Sequence, residues 1–276
     1  MMLRRCAQFV RHFLLALQFF TRIPVTGRVA DWVGYSPAML RASAAHFPAI
    51  GWLVGALTAV VFSALLHWLP PVPAAPWMAA VLSTVFSLLL TGAFHEDGLA
   101  DLADGLGGGF TRERALEIMK DSRIGTYGAT ALAMAFISKA GLLVVLAQLS
   151  PAVAAWSLFG AHVNSRLMPL FIIRLLPHVG DTPQSKSKPL AEAISNAGVF
   201  AGLLWWALAM GVLFQFGPDA PWWAGSAGAL LGMLLVAWRL QRRLQGFTGD
   251  GLGAAQQLAE LGFYLGVALA WGRGLA

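Results

Sequence analysis

The stretch HEDGLADLADGLGGG at 95–109 sets four carboxylates, Glu96, Asp97, Asp101 and Asp104, within nine residues, directly after an apolar run that carries no charge. Held in a helix, Asp97, Asp101 and Asp104 stand at i, i+4 and i+7 and share one face. Like charges at that spacing repel, and no basic residue intervenes before Arg112, so the face calls for a cation. The single cysteine, Cys6, provides no thiolate pair. Oxygen ligands remain, which points to Mg²⁺, with Mn²⁺ as the alternative, held by Asp97, Asp101 and Asp104. Carboxylates that hold such an ion beside a basic loop suit phosphoryl transfer. Leu99, Ala100, Leu102 and Ala103 give the helix an apolar back, and the glycines at 105 and 107–109 allow a ligand to approach the backbone closely. Neither Asp97 nor Asp101 begins an EF-hand series, and GLGGGF matches neither a dinucleotide fingerprint nor a Walker A loop.

Downstream, IMKDSRIGTYG at 118–128 supplies the positive charge that the acids lack. Lys120 and Arg123 suit phosphate oxygens, and Asp121 suits a further ligand or a base. A phosphate bound there also faces the positive amino end of the next helix. Because a carboxylate committed to metal is a poor base, Glu96 and Asp121 are the candidates for the catalytic base, with His95 third. His95, a lone histidine at a helix end, reads more readily as an interfacial or capping residue than as a ligand or base. Arg112 and Arg114 read as ordinary basic residues at a membrane boundary.

A third cluster, GFTGDGLGAAQQLAE at 246–260, offers Asp250 as a metal or substrate contact and puts Gln256, Gln257 and Glu260 on the following helix. Glu260 falls within an apolar segment, where Lys139 and Arg166 are its natural partners, and a structural ion pair accounts for all three as well as a functional role does. Arg166, near His162 and Asn164, is a candidate anion contact. So are Lys186 and Lys188 in QSKSKPLA, although ordinary loop charge explains these lysines nearly as well.

The elements that must position these residues are set by composition. A chain of 276 residues that is 58 % hydrophobic and 12 % charged, with a mean hydropathy of +0.67, is too apolar for an ordinary soluble domain. A bilayer span needs about 20 apolar residues, and seven segments approach this, near 46–69, 77–94, 127–149, 153–176, 198–216, 221–239 and 251–271. The earlier FVRHFLLALQFFTRIPV is short, basic and ended by Pro24, as befits an interfacial or re-entrant helix. It lacks an A-x-A cleavage site, so no removable signal peptide is expected. The expected fold is all-α, a polytopic helical bundle forming one membrane domain over 1–276.

Lysine and arginine collect in alternate connectors, whereas PPVPAAP, the segment around Pro151 and GPDAP carry none. The positive-inside tendency then places the amino terminus and all three motifs in the cytoplasm. The net charge of +6 belongs to these loops, beside anionic lipid or an anionic substrate, rather than to a nucleic-acid surface.

Taken in order among membrane segments, HEDGLADLADGLGGG, IMKDSRIGTYG and GDGLGAAQQ resemble the cobalamin synthase (adenosylcobinamide-GDP ribazoletransferase) family, from LQFFTRIPV to the carboxyl terminus. Gly251 departs from the threonine or serine expected there. The resemblance implies a Mg²⁺-dependent, multi-pass enzyme of the bacterial inner membrane, its active site facing the cytoplasm. In the implied reaction the 3′-hydroxyl of α-ribazole, or of its 5′-phosphate, attacks the cobinamide-linked phosphorus of adenosylcobinamide-GDP, and GMP leaves. On that reading the three aspartates hold metal, Lys120 and Arg123 clamp phosphate, and the large corrinoid needs an open cavity rimmed by 95–126, 177–197 and 240–250. The residues leave oligomeric state open.

Two rivals follow from the same residues. D-x-x-D-G at 101–105 is similar in part to the CDP-alcohol phosphotransferases, whose A-R and later D-x-x-x-D are absent here. A cation transporter would spread its acids through the spans, whereas these cluster at one end.

Overall fold

A computed structural model describes residues 2–179, 193–272 and 274. Among the described residues the chain is helical apart from its connectors and one isolated backbone bridge, between His178 and Phe247. Helix α1 (Met2–Phe20) ends where the Thr21 hydroxyl donates to Leu17 O at 2.7 Å and accepts from Ile23 N–H at 3.2 Å, closing the last turn ahead of Pro24. Two short helices follow, α2 (Gly27–Val33) and α3 (Pro37–Ser43); Ser36 caps α3 by accepting from Met39 N–H at 3.1 Å. One 3-10 turn, Ala44–His46, then leads into α4 (Phe47–Trp68).

The remaining helices are α5 (Ala75–Thr91), α6 (Phe94–Gly108), α7 (Arg112–Ile118), α8 (Thr126–Leu149), α9 (Pro151–Leu175), α10 (Asn196–Phe216), α11 (Trp222–Leu244) and α12 (Gly249–Trp271). Length and composition qualify four helical stretches to cross a membrane: Pro37–Trp68, α8, α10 and α11. A fifth is counted if α5 and α6, bent by 93° at their junction, form one span. Helices α9 and α12 occupy the fourth and seventh expected segments but fall outside that set because of their polar residues, including Asn164, Arg166, Gln256, Gln257 and Glu260. The cause is their position. Every residue of α9 from Ser157 to Leu170 is buried, so these helices form the interior, where polar groups meet one another rather than lipid.

Close approach between helices depends on small residues, as is usual in membranes. A Cβ on Gly228 of α11 would collide with Gly262 O of α12, and one on Gly262 with Gly228 O.

Candidate active site

The acidic stretch does not simply continue α5. At the break, Gly92 has φ +71° and Ala93 φ 56°, both left-handed. The Arg22 side chain lies over Gly92, leaving no room for a Cβ, and Arg22 N–H donates to Leu90 O at 2.7 Å. Helix α6 therefore turns away from the crossing part of α5 and carries the four carboxylates as a separate element at its end. Its back packs on α12 almost backbone to backbone. A Cβ on Gly98 would lie 2.8 Å from Asp250 O, and one on Gly253 would lie 3.0 Å from His95 O.

On the acid face Asp97 is exposed, Asp101 half-buried and Asp104 buried. Burial, and then the neighbouring Asp97 and Asp104, push the Asp101 carboxyl up to about 6. Asp104 is engaged differently from its neighbours. Its Oδ2 accepts from Gly125 N–H at 2.7 Å and its Oδ1 from Gly128 N–H at 2.8 Å. A Cβ on either glycine would strike this carboxylate. Among the described residues no three His, Cys, Asp or Glu side chains close around a common metal position. The expected trio thus resolves into an open pair, Asp97 and Asp101, and a third carboxylate bonded to the start of α8.

That donor set still suits Mg²⁺, which typically takes one or two carboxylates and completes its octahedron with water and substrate phosphates rather than an all-protein cage. Asp97 and Asp101 lie one helical turn apart beside solvent, and after burial it is the repulsion from Asp97 and Asp104 that pushes Asp101 up, a repulsion that a cation relieves.

The basic loop sits between α7 and α8. Lys120 is exposed. Arg123 is tied to Asp121, its Nη2 at 2.6 Å from Oδ2 and its Nε at 3.0 Å from Oδ1. This guanidinium holds the Asp121 carboxyl down to about 2, which makes Asp121 a weak base. Arg112, expected as a boundary charge, instead donates from Nε to Leu244 O at 2.7 Å at the end of α11. Arg243 returns the tie through Gly109 O at 2.6 Å, and Arg114 pairs on the surface with Glu117 at 2.7 Å.

Glu96 points away from the acid face, into the interior. Its Oε1 accepts from Gln257 Nε2 at 3.0 Å, and its Oε2 is buried without a hydrogen-bond partner. Gln257 also donates to Gln256 Oε1 at 2.8 Å, and Gln256 Nε2 donates to Ser165 Oγ and Glu260 Oε2, each at 2.9 Å. Glu260 pairs with Lys139, as the sequence suggests, but Arg166 meets His162 instead, through its Nδ1 at 2.9 Å and its carbonyl at 3.1 Å. Arg166 and Gln256 line a cavity of about 30 Å³ with His95 and the rings of Phe20, Phe47 and Phe94, room for roughly one water molecule.

Asp250 is half-buried in the first turn of α12, which Thr248 caps by accepting from Gly251 N–H at 3.1 Å. Val179 N–H donates to Phe247 O, and Phe247 N–H to Pro177 O, each at 2.9 Å, which joins two of the three expected rims. Lys186 and Lys188 lie outside the described residues.

Residues 12–268 match the family model described as cobalamin-5-phosphate synthase. The chain belongs to that family. It is 54 % identical over 277 residues to a protein of Albidiferax ferrireducens named adenosylcobinamide-GDP ribazoletransferase, covering 95 % of this chain and 99 % of that one. Proteins of the same name from a Polaromonas species and from Vibrio cholerae are 51 % and 45 % identical, covering 95 % and 92 % of this chain and 98 % and 91 % of theirs. No solved structure matches the chain significantly.

In this cobalamin-5-phosphate synthase family member, the site residues that spacing did not reveal are Arg22, Gln257 and Arg243. Arg22 and Arg243 act through backbone contacts that only the folded chain creates. The Gln256–Gln257 pair carried a signal, because two amides inside a span need buried partners.

Proposed function

We propose that this chain is an adenosylcobinamide-GDP ribazoletransferase of the bacterial inner membrane, with its acid face in the cytoplasm. The carrying observation is the open pair Asp97 and Asp101 beside the loop Lys120–Arg123, which Asp104 joins to α6 through Gly125 and Gly128. The names of the full-length relatives and the basic residues in alternate connectors support the reading. Membrane lipid is the remaining partner, met by outward residues such as Leu231 and Leu235.

In the reaction, the 3′-hydroxyl oxygen of α-ribazole, or of α-ribazole 5′-phosphate, forms a bond to the cobinamide-linked phosphorus. The phosphorus–oxygen bond to GMP breaks, and the hydroxyl proton passes to a base. Asp97 and Asp101 would hold Mg²⁺, which would supply positive charge to the diphosphate and to the departing GMP. Lys120 reaches phosphate oxygens from the exposed loop, and Arg123 exchanges Asp121 for phosphate. The positive amino end of α8 favours the same anion. Of the three candidate bases, the His95 ring is stacked on Phe20 and Glu96 points into the interior, with Oε1 held by Gln257. Asp121, on the exposed loop, is released when Arg123 turns to phosphate and is left to take the proton.

A CDP-alcohol substrate would use the same acids, so the choice is tested by supplying purified protein with cobinamide-GDP and α-ribazole, or with a CDP-lipid and an alcohol acceptor, and identifying the released nucleotide. GMP from the first supports the proposal; CMP from the second alone overturns it.

A further inference from the structure

We propose that Asp104 is a positioning residue: it caps α8 from a distance and thereby fixes the basic loop over Asp97 and Asp101. The N-cap of α8 is Gly125, which has no side chain to accept a first-turn N–H. Asp104 provides that acceptor from 21 residues upstream, with one oxygen on Gly125 N–H and the other on Gly128 N–H. A carboxylate at a helix amino end is favoured by the peptide dipoles. Asp104 is 8 % exposed and closed over by two glycines whose Cβ atoms the site could not accommodate.

The loop is fastened at its other end to the same turn of α6. Met119, 6 % exposed, packs its side chain on Gly105, where a Cβ would collide with it. Lys120, Asp121 and Arg123 thus lie on a short segment clamped at both ends to consecutive residues, Asp104 and Gly105. Any slack at Gly125 moves the phosphate-binding side chains relative to the acid pair. Displacements of about 1 Å can cost on the order of 10²-fold in rate.

The inference rests on the proposed transferase reaction, and the test separates the two. The backbone of Gly125 is extended, φ −96° and ψ −177°, as an N-cap serine requires, and the three atoms nearest to a Cβ there belong to the Asp104 side chain. Removing that side chain therefore makes room for a local cap. We expect Asp104→Ala to lower kcat by roughly 10- to 100-fold, with the Mg²⁺ concentration for half-maximal rate unchanged. Asp104→Ala/Gly125→Ser should recover most of the loss, because serine caps but is a poor Mg²⁺ ligand. Asp101→Asn should raise the Mg²⁺ requirement instead.

Asp104→Asn, which keeps one acceptor oxygen, serves if the alanine variant does not fold, and it too should leave the Mg²⁺ requirement in place. An increased Mg²⁺ requirement in either Asp104 variant, no loss of rate in Asp104→Ala, or no recovery with Gly125→Ser would overturn the positioning role. A parent enzyme that needs no Mg²⁺ would overturn the metal reading alone, since recovery through Gly125→Ser reports the cap independently.

Discussion

Lys139 Nζ lies 2.6 Å from Glu260 Oε1, with the two side chains 6 % and 3 % exposed. Tyr264 OH at 3.0 Å and Gln256 Nε2 at 2.9 Å donate to the same carboxylate. Ion pairs of this kind rarely beat a well-packed apolar pair, but breaking one leaves a buried charge without its partner, at about 3–5 kcal/mol. Lys139→Met alone is therefore expected to destabilise the protein by about that much, and Lys139→Met/Glu260→Leu by clearly less. Thermal unfolding in detergent reads both. Because α8 and α12 also carry Gly125 and Asp250 at their amino ends, activity should fall with stability in the single variant.

Gly98→Ala places a methyl group against the backbone of Asp250, where a Cβ would lie 2.8 Å from the carbonyl oxygen and 2.9 Å from Cα. Backbone cannot rotate aside, so α6 and α12 must separate. The expected cost is about 1–3 kcal/mol, as for overpacking elsewhere, together with a loss of turnover. Gly211→Ala is the control, since nothing lies within 4 Å of a Cβ there; it should leave both unchanged.

Asp101 makes the metal-free protein pH-sensitive. Its folded value of about 6 lies above the ordinary 3.8, so between these values the folded state keeps a proton that the unfolded chain has lost. Stability from this group is full below the lower value and declines as pH rises toward the higher one. The melting temperature of metal-free protein should therefore decline from about pH 4 to about pH 6, and less steeply in Asp101→Asn. Above that window Mg²⁺ should raise the parent's melting temperature and leave that of Asp101→Asn almost unchanged.

Arg123 and Asp121 form an exposed pair, with side chains 87 % and 38 % accessible. Surface pairs contribute little to stability, so Arg123→Ala and Asp121→Ala should melt with the parent. Their kinetics should diverge. Arg123→Ala removes a phosphate contact and should raise KM for cobinamide-GDP about ten-fold, whereas Asp121→Ala frees the guanidinium and should lower that KM or leave it unchanged. Steady-state GMP release measures both.

The acid face was legible because helical periodicity alone aligns Asp97, Asp101 and Asp104, and the pairing of Lys139 with Glu260 followed from the scarcity of partners in an apolar segment. The separate role of Asp104 was not, because the N–H groups it accepts lie 21 and 24 residues away and spacing cannot show which backbone returns. The 93° turn before α6 was hidden for a similar reason: it depends on left-handed Gly92 and Ala93 and on Arg22 from the connector after α1. Periodicity identified α9 and α12 as segments, but their polar residues, read one at a time, did not show that they form the interior. Arg166, expected beside Glu260, meets His162 one turn earlier on its own helix.

The central claim is that Asp97 and Asp101 hold the metal for a transfer that expels GMP. Its most direct measurement is GMP release by purified protein with cobinamide-GDP, α-ribazole and titrated Mg²⁺. We expect release that depends on both the acceptor and Mg²⁺, and that falls at least about 100-fold in folded, membrane-inserted Asp101→Asn. Release at the parent rate by Asp97→Asn and Asp101→Asn, or by the parent without divalent metal, would contradict the account.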